Sequence, residues 1–254
     1  MSNLIITAEL AYQNYLKLKH YNPEEPDEKR DKLVHRASMG GRCHRLQKYH
    51  LSPDHKAKEL TPEDMMIFRI GNVFHDELQQ GFKWLIEEKN KDNKIVELEM
   101  EKKVIADMHG LTVEGHFDVR LFDHKNKVIQ IIDLKTMNPR AMSYFRKNPY
   151  GKEGYMIQLG VYILATQEEY PDYDVVALLS AWDKDKGTWE EVEIDVRRVI
   201  RMANEYYEEL AESMSKDLEE LTPVKHRYSP MNQKWECDYC QYNHICGSPL
   251  TKRI

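Results

Sequence analysis

The sequence has no apolar run that approaches about 18 residues, the length that a membrane-spanning helix requires. Its N-terminal stretch, MSNLIITAELAYQNYLKLK, carries polar and charged residues at helical intervals where a signal peptide needs an unbroken apolar region. The phosphate loop of helicase motors, G-x-x-x-x-G-K-[ST], is also missing. These absences argue against a membrane protein and a motor protein, and they predict a cytoplasmic location.

Cysteine is scarce, since the chain has only Cys43, Cys237, Cys240 and Cys246. In a reducing compartment, cysteines serve as metal ligands more often than as disulfides. Two cysteines separated by two residues can direct both sulfur atoms toward one centre, and four thiolates suit Zn²⁺ or an iron-sulfur cluster. The spacing therefore predicts a metal site that joins the two ends of the chain. Ordinary reduced cysteines in a small C-terminal lobe are the alternative.

The charge of the chain is unevenly distributed. The net charge of -6 over 254 residues disfavours general binding to nucleic acid. Even so, Arg42, Arg45 and Lys48 cluster beside Cys43, and such a local patch can contact phosphates on an acidic protein. A solvated surface of mixed charge is the alternative interpretation. The overall composition, with 41% hydrophobic and 31% charged residues, is typical of a globular protein that buries one core, with or without a small lobe.

Periodicity along the chain predicts an alternation of helices and strands. Thr61 can cap a helix that has Pro62 in its first turn and Asp64 returning a bond to the cap. An apolar stripe on that helix should face a core; it comprises Met65, Phe68, Val73, Phe74, Leu78, Phe82, Leu85 and Ile86. Other helices are predicted over 1–20, 28–50, 140–147, 154–169 and 196–221, and strands over 95–106, 111–122, 128–135, 175–182 and 189–194.

A predicted hairpin in the middle of the chain carries the chemistry. Val128 to Ile132 is an apolar run typical of a central strand, and it ends in Asp133-Leu134-Lys135. A two-residue turn at Lys125-Asn126 would place Asp118 opposite Asp133, near enough to share one cation, with Lys135 on the same face. Buried charges of this kind must be paired or must hold a metal. The hairpin therefore predicts a hydrolytic Mg²⁺ site, and an ion-paired aspartate and lysine is the alternative.

Several of these segments resemble the motifs of RecB-type nucleases in the PD-(D/E)XK superfamily. Gly115-His116-Phe117-Asp118 resembles G-x-x-D, Asp133-Leu134-Lys135 resembles (D/E)-x-K, and Gln158-Leu159-Gly160-Val161-Tyr162 resembles Q-x-x-x-Y. Gly71-Asn72-Val73-Phe74-His75 looks like the helix that carries the metal-binding histidine of that family. One cysteine before these motifs and three after them resemble the Fe-S subgroup, which includes CRISPR-associated RecB-like exonucleases and the AddB nuclease domain.

The resemblance implies a role for each matching residue. His75, Asp118, Asp133 and the Leu134 carbonyl would bind Mg²⁺ or Mn²⁺, and Lys135 would hold the attacking water. Gln158 and Tyr162 share a helix face and would lie beside the lysine and the DNA backbone. The four cysteines would hold a structural 4Fe-4S cluster, with Zn²⁺ as the alternative. Arg42, Arg45 and Lys48 would track phosphates.

The resemblance also implies the architecture and the activity. The fold expected is α/β: a mixed central sheet flanked by helices, like the restriction-endonuclease core, over residues 61–222. A helical N-terminal segment, 1–60, and a C-terminal cysteine lobe, 223–254, would complete it. The function expected is a metal-dependent DNA exonuclease acting on single strands or ends, in recombination, phage replication or CRISPR-type processing, with proteins of those pathways as possible partners. A non-catalytic DNA-binding or assembly subunit and an RNA nuclease are the alternatives.

Overall fold

A six-stranded mixed sheet covered by helices forms the centre of the computed structural model, which describes residues 34–91, 96–221 and 233–246. The strands are β1 (His35–Arg36), β2 (Val96–Met108), β3 (Leu111–Asp123), β4 (Val128–Met137), β5 (Asp174–Asp183) and β6 (Thr188–Ile194). The helices are α1 (His44–Leu51), α2 (Pro62–Lys89), α3 (Pro139–Lys147), α4 (Glu153–Glu169), α5 (Val196–Met214) and α6 (Gln233–Asp238). This architecture confirms the predicted fold class. The three-part division of the chain stays a prediction.

The strands follow the order β1-β3-β4-β5-β6, and β2 pairs with β3. Neighbouring pairs are antiparallel except β4 with β5 and β1 with β3, which are parallel. A parallel pair needs a long crossover connection, and α3 and α4 supply it between β4 and β5. The residues after β4 therefore pass over one face of the sheet before the chain returns.

The main hydrophobic core lies between the sheet and helices α4 and α5. Ile131 of β4, Leu159 of α4 and Ala203 of α5 all belong to it, and none of them is exposed to solvent. The two helices touch closely at Gly160, where an added Cβ would lie 2.4 Å from the Val199 carbonyl oxygen. The glycine in the Gln158-to-Tyr162 motif is therefore required by helix packing.

Helix α2 covers the opposite face of the sheet. Thr61 accepts a hydrogen bond from the Asp64 amide, Asp64 bonds back to Thr61, and Pro62 occupies the first turn, so the predicted start is confirmed. Leu78 and Phe82 pack against a smaller cluster of buried strand residues, Val119, Ile132 and Leu134.

The prediction that the whole apolar stripe of α2 faces a core is wrong in part, because only some residues of the stripe contact the sheet. Phe68, Val73 and Leu85 are about half exposed, at 53%, 50% and 42%. Met65 and Ile86 are buried as expected, so the two ends of the helix are fixed against the rest of the chain.

Two other helix predictions need correction. Within the predicted helix 28–50, His35–Arg36 pair with Val113 and Glu114 of β3, and a 3-10 turn follows before α1 begins at His44. Gly41 has a φ of +74°, a left-handed conformation that glycine adopts without strain and that separates the turn from α1. The last long helix ends at Met214 rather than near 221. Residues 1–33, including the predicted helix 1–20, lie outside the described part of the chain.

No helix among the described residues is both long enough and apolar enough to cross a membrane.

Candidate active site and cysteine cluster

The register of the β3-β4 hairpin is the predicted one. Val119 pairs with Ile132 and Asp123 with Val128, as expected from a turn centred between Lys125 and Asn126. The turn itself is longer than predicted, because four residues, 124–127, separate the strands. The Asn126 amide donates to Asp123 Oδ1 at 2.9 Å, and Lys127 adopts a φ of +53°. The two added residues are symmetric about the centre, so the register is unchanged.

Strands β3 and β4 separate at Asp118. Their ladder ends at the pair of Val119 and Ile132, whereas β2 accompanies β3 along its whole length. The Leu134 amide, at the point of separation, donates to Asp118 Oδ2 at 2.6 Å. Asp118 therefore replaces a backbone acceptor with its side chain, and the predicted proximity of this carboxylate to the Asp133-Leu134-Lys135 segment is confirmed.

Asp133 and Lys135 form a buried ion pair. Lys135 Nζ lies 2.6 Å from Asp133 Oδ2, and the Asp133 side chain is only 1% exposed. Asp133 Oδ1 is also buried and has no hydrogen-bond partner among the residues that the structure describes. Burial raises the pKa of Asp133 to about 6, although Lys135 opposes that shift and Asp118 adds to it.

The charge of Lys135 is maintained by its neighbours. Burial would lower its pKa, but the negative charges of Asp133 and Asp118 outweigh burial and raise the pKa above its usual value. The ammonium also lies 5.2 Å from the centre of the Tyr155 ring. These neighbours therefore hold Lys135 in its charged form, in which it donates hydrogen bonds.

His75 approaches the site from helix α2. Its Nδ1 atom lies 3.4 Å from Asp118 Oδ1, and this contact is the main reason that the pKa of His75 is raised. Burial would raise the pKa of Asp118, but His75, Lys135 and the Leu134 amide together hold it below its usual value. The predicted meeting of His75 and Asp118 is thus present in the structure.

Gln158 and Tyr162 share one face of α4, as predicted. The Gln158 amide donates to the Tyr162 hydroxyl at 2.8 Å, and burial raises the pKa of Tyr162. Tyr162 passes so close to β3 that a Cβ on Gly115 would lie 2.7 Å from the tyrosine ring. The absence of a side chain at Gly115 therefore lets the tyrosine lie against β3 beside Asp118.

Glu101 is a site residue that the sequence reasoning missed. It lies opposite Asp118, between the pairs Met100 with Val119 and Lys102 with Phe117. The potential ligand atoms of His75, Glu101 and Asp118 all lie within 4.8 Å of one another. A signal was present in the sequence, since β2 carries an unusual run of charged residues, but nothing in that run distinguishes Glu101 from Glu97 or Glu99.

The donors at this site fit a divalent cation. Carboxylate oxygens and one imidazole nitrogen suit Mg²⁺ or Mn²⁺, and the imidazole favours Mn²⁺. The bonding capacity of the buried Asp133 Oδ1 atom is unused among the described residues. An uncompensated buried carboxylate oxygen is costly, and a cation would remove that cost.

The four cysteines meet at a second location, between α1 and the C-terminal segment. Cys43, Cys237, Cys240 and Cys246 line one cavity together with Arg45, Leu46, Tyr49, Glu236 and Asn243. Burial, with the neighbouring cysteines, raises the pKa of Cys237 and of Cys240 to about 11. Four thiolates would repel one another in this cavity, so its chemistry fits a cationic centre that removes their protons. The predicted convergence of the cysteines is present in the structure.

The basic residues beside Cys43 are placed differently from the prediction. Arg45 Nη1 donates to the Cys246 carbonyl at 3.1 Å, and Arg45 also contacts the carbonyls of Glu219 and Leu221. Lys48 contacts the carbonyls of Met214 and Lys216. These groups therefore hold the segment after α5 and the cysteine lobe in place. Their expected phosphate contacts, and that of Arg42, stay predictions.

The chain matches the PD-(D/E)XK nuclease superfamily, and the RecB-type and Fe-S subgroup within it stay predictions. A profile described as "PD-(D/E)XK nuclease superfamily" matches residues 19–247. Among solved structures, SSO0001 superposes with a TM-score of 0.51 and 16% identity, covering 93% of this chain and 94% of its own. A "Putative exonuclease" from Eubacterium rectale superposes with a TM-score of 0.45 and 12% identity, covering 87% and 90%. No curated protein matches the chain.

Proposed function

Because the chain belongs to the PD-(D/E)XK nuclease superfamily, we propose that it is a divalent-metal-dependent deoxyribonuclease, and specifically an exonuclease of single-stranded DNA or DNA ends. One observation carries the proposal. Asp118, Asp133 and Lys135 converge where β3 and β4 separate, and Asp133 retains an unpartnered buried oxygen among the described residues. A buried carboxylate oxygen without a partner calls for an explanation, and a bound cation supplies one.

His75, Asp118, Asp133 and the Leu134 carbonyl are the proposed ligands of Mg²⁺ or Mn²⁺. A bound divalent cation lowers the pKa of water and neutralises charge on the phosphate that is being cleaved. Asp118 is ready for this role because its pKa is held below the usual value. Asp133, with a pKa raised to about 6, is mostly ionised at pH 7.5.

Lys135 positions water and does not take up its proton. Its raised pKa keeps the ammonium charged, so it donates hydrogen bonds to the attacking water or to a phosphate oxygen. Gln158 is the partly exposed member of its pair with Tyr162, and the DNA backbone would lie beside it. Tyr162 is buried, stays protonated because burial raises its pKa, and accepts the hydrogen bond that orients Gln158.

The four cysteines would hold a structural 4Fe-4S cluster, as the resemblance to the Fe-S subgroup implies. Their donor set accepts Zn²⁺ equally well, and zinc is the alternative occupant. Cys43 belongs to the segment before the nuclease motifs and the other three follow them, so either metal would connect the two ends of the chain.

The proposed context is DNA end processing in recombination, phage replication or CRISPR-type spacer acquisition, in the cytoplasm and with proteins of those pathways as partners. A non-catalytic DNA-binding or assembly subunit would need no intact ion pair at Asp133 and Lys135, so the buried pair disfavours it. An RNA nuclease would share the same site, and only the substrate separates it from a deoxyribonuclease.

The decisive experiment uses the full chain purified without oxygen, with Mg²⁺ or Mn²⁺. End-labelled linear single-stranded DNA, a closed single-stranded circle of the same sequence, duplex DNA and single-stranded RNA are digested in parallel. We expect the linear strand to be degraded much faster than the circle. Equal rates on strand and circle would indicate an endonuclease, preference for RNA would indicate the alternative substrate, and no cleavage at all would indicate the non-catalytic subunit.

A further inference from the structure

The chain places one more carboxylate at the cation site than the family resemblance assigns. Glu101, on β2, belongs to a group with His75 and Asp118 whose potential ligand atoms all lie within 4.8 Å of one another. Each of these residues comes from a different element: α2, β2 and β3. Their meeting depends on the tertiary fold, unlike that of neighbouring charges on one surface strand.

In β2 and β3 the regular alternation of side chains between the two faces is interrupted near Glu101. Side chains of a strand alternate between its two faces, so Met100 and Val104 should lie on the same face. Instead, Met100 packs in the cluster beneath α2 and Val104 packs in the main core on the other face. β3 shows the same change between Val119 and Phe117.

The change of face is centred on Glu101 and Asp118. The pairs on either side of them keep one register, and Glu101 has a φ of +50°, which side-chain-bearing residues rarely adopt. Such strained conformations concentrate at functional sites. The sheet is therefore distorted where Glu101 faces Asp118.

A further contact fixes the orientation of Glu101. Gln79 donates from Nε2 to Glu101 Oε1 at 2.7 Å. Gln79 lies one turn after His75 on α2, so the two side chains share a helix face. One face of α2 thus supplies both a candidate ligand, His75, and the residue that orients another, Glu101. Supporting hydrogen bonds of this kind are typical around metal ligands.

The charges at the site favour a cation beside these groups. Glu101, Asp118 and Asp133 are three carboxylates, and Lys135 is the buried ammonium that pairs with one of them. The unpartnered Asp133 Oδ1, which lies on the β4 side of Asp118, is a separate indication among the described residues that the site as a whole needs positive charge.

We propose that Glu101 is a further ligand of the proposed divalent cation, which it approaches beside His75 from the β2 side of Asp118. With Glu101 the donor set contains three carboxylates and one imidazole nitrogen, and the imidazole favours Mn²⁺ over Mg²⁺. This inference rests on the metal-binding part of the proposed function but not on cleavage of any nucleic acid.

The test measures Mn²⁺ binding directly, by calorimetry and by the electron paramagnetic resonance signal of free Mn²⁺. The sample is the full chain from which divalent cations have been removed while the metal at the cysteines is retained. Glu101→Gln keeps the shape of the side chain and an acceptor for Gln79. Glu97→Gln is the matched control, because it removes the same charge from the same strand, where Glu97 pairs with His124 at the exposed edge. His75→Ala serves as the positive control.

We expect Glu101→Gln to weaken Mn²⁺ binding at least about tenfold, which corresponds to about 1.4 kcal/mol, because the amide lacks the charge of a carboxylate ligand. Glu97→Gln should change the affinity less than twofold. Without metal, Glu101→Gln should unfold at the same or a higher temperature than the wild type, because it relieves repulsion with Asp118. Adding Mn²⁺ should raise the melting temperature of Glu101→Gln by less than it raises that of the wild type.

Mn²⁺ affinity of Glu101→Gln equal to that of the wild type would overturn the inference. A large drop in the melting temperature of the metal-free variant would also do so, because it would assign Glu101 to folding. If the wild type cleaves no nucleic acid but its Mn²⁺ binding depends on Glu101, the proposed function fails and the cation site stands. If the wild type cleaves nucleic acid but its Mn²⁺ binding does not depend on Glu101, the proposed function stands and the inference about Glu101 fails.

Discussion

Arg120 and Asp133 are both buried and charged, but their partner atoms indicate a structural role for the first and a chemical role for the second. The Arg120 side chain is fully buried, and Glu99, at 2.5 Å, and Glu169, at 3.0 Å, accept its hydrogen bonds while Phe117 and Phe122 cover its faces. Asp133 is equally buried, but its Oδ1 atom has no partner within the described ranges. The satisfied charge stabilises the fold, and the unsatisfied oxygen is available for a ligand.

Replacement of Asp133 by Asn should therefore remove function without removing structure. We expect Asp133→Asn to lose about 10²- to 10³-fold or more of the nuclease rate, because the amide neither carries the charge nor binds the cation as a carboxylate does. Its melting temperature should fall because the buried pair with Lys135 is lost, but the metal content at the cysteines should stay at the wild-type value and the folded fraction should still lack activity. Lys135→Met should behave in the same way, and full activity of either variant would refute the site assignment.

Arg120 should give the opposite result. Arg120→Leu removes the buried guanidinium and leaves Glu99 and Glu169 with Lys102 as their cation, and breaking a buried pair costs up to about 3–5 kcal/mol. Denaturant unfolding should show that loss, while the activity of the fraction that remains folded is unchanged. A change of less than about 1 kcal/mol would mean that the pair is solvated, as surface pairs are.

The sequence predicted the residues whose position follows from a short-range rule. Asp118 and Asp133 are related by one turn, and the register that brings them together survived a turn twice as long as expected because the centre of symmetry did not move. Glu101 depends on a change of face in two strands that no local pattern records. The same limit explains the error at His35–Arg36, which become a strand only because β3 offers an edge where it has left β4.

At the scale of whole elements, the contact between α4 and α5 positions the site. Gly160 lets the helices approach, and α4 carries both Gln158 and Tyr162 toward β3. An added methyl group would meet the Val199 carbonyl oxygen at 2.4 Å and Ala203 Cβ at 2.7 Å, both from the facing helix. These are main-chain and short side-chain atoms, which cannot rotate away.

Gly160→Ala should consequently destabilise the protein by about 1–3 kcal/mol, the usual cost of overpacking. Gly81→Ala is the matched control, since Gly81 also lies in a helix but an added Cβ would have no atom within 4 Å. The free energy of unfolding of Gly81→Ala should rise by up to about 1 kcal/mol, because alanine has a higher helix propensity than glycine. Chemical denaturation of both variants checks the prediction, and equal changes would show that α4 can shift on α5.

At the scale of the whole molecule, the cysteine cluster connects distant parts of the chain. The Cys43 amide donates to Glu236 Oε1 at 2.7 Å although the two residues are 193 positions apart. Tyr49 of α1 stacks on Tyr242 with ring centres 5.4 Å apart, and Arg45 holds the Cys246 carbonyl. These contacts form one interface, which is small and encloses the four sulfur atoms.

Arg45 allows the structural role of this interface to be separated from the predicted phosphate contacts. If the carbonyl contacts dominate, Arg45→Ala should lower the melting temperature and the metal retained per chain, and DNA affinity should fall only as far as the fold does. Arg42→Ala, at the other end of the predicted patch, tests phosphate contact. A salt-dependent loss of DNA binding in both variants, with full metal content, would support the original phosphate assignment.

The metal itself provides the final prediction. If the four cysteines hold an Fe-S cluster, the chain purified without oxygen should be brown, with broad visible absorption and with iron and acid-labile sulfide in equal amounts. Cys43→Ser should lose the colour and much of the stability, because metal binding at such a site contributes directly to folding. Asp133→Asn is the control and should stay brown. Colourless protein with one zinc per chain would replace the cluster by a zinc site and leave the nuclease proposal intact. If removing the metal from the cysteines leaves the melting temperature unchanged, the packing of Tyr49 on Tyr242 is sufficient to hold the two ends of the chain together.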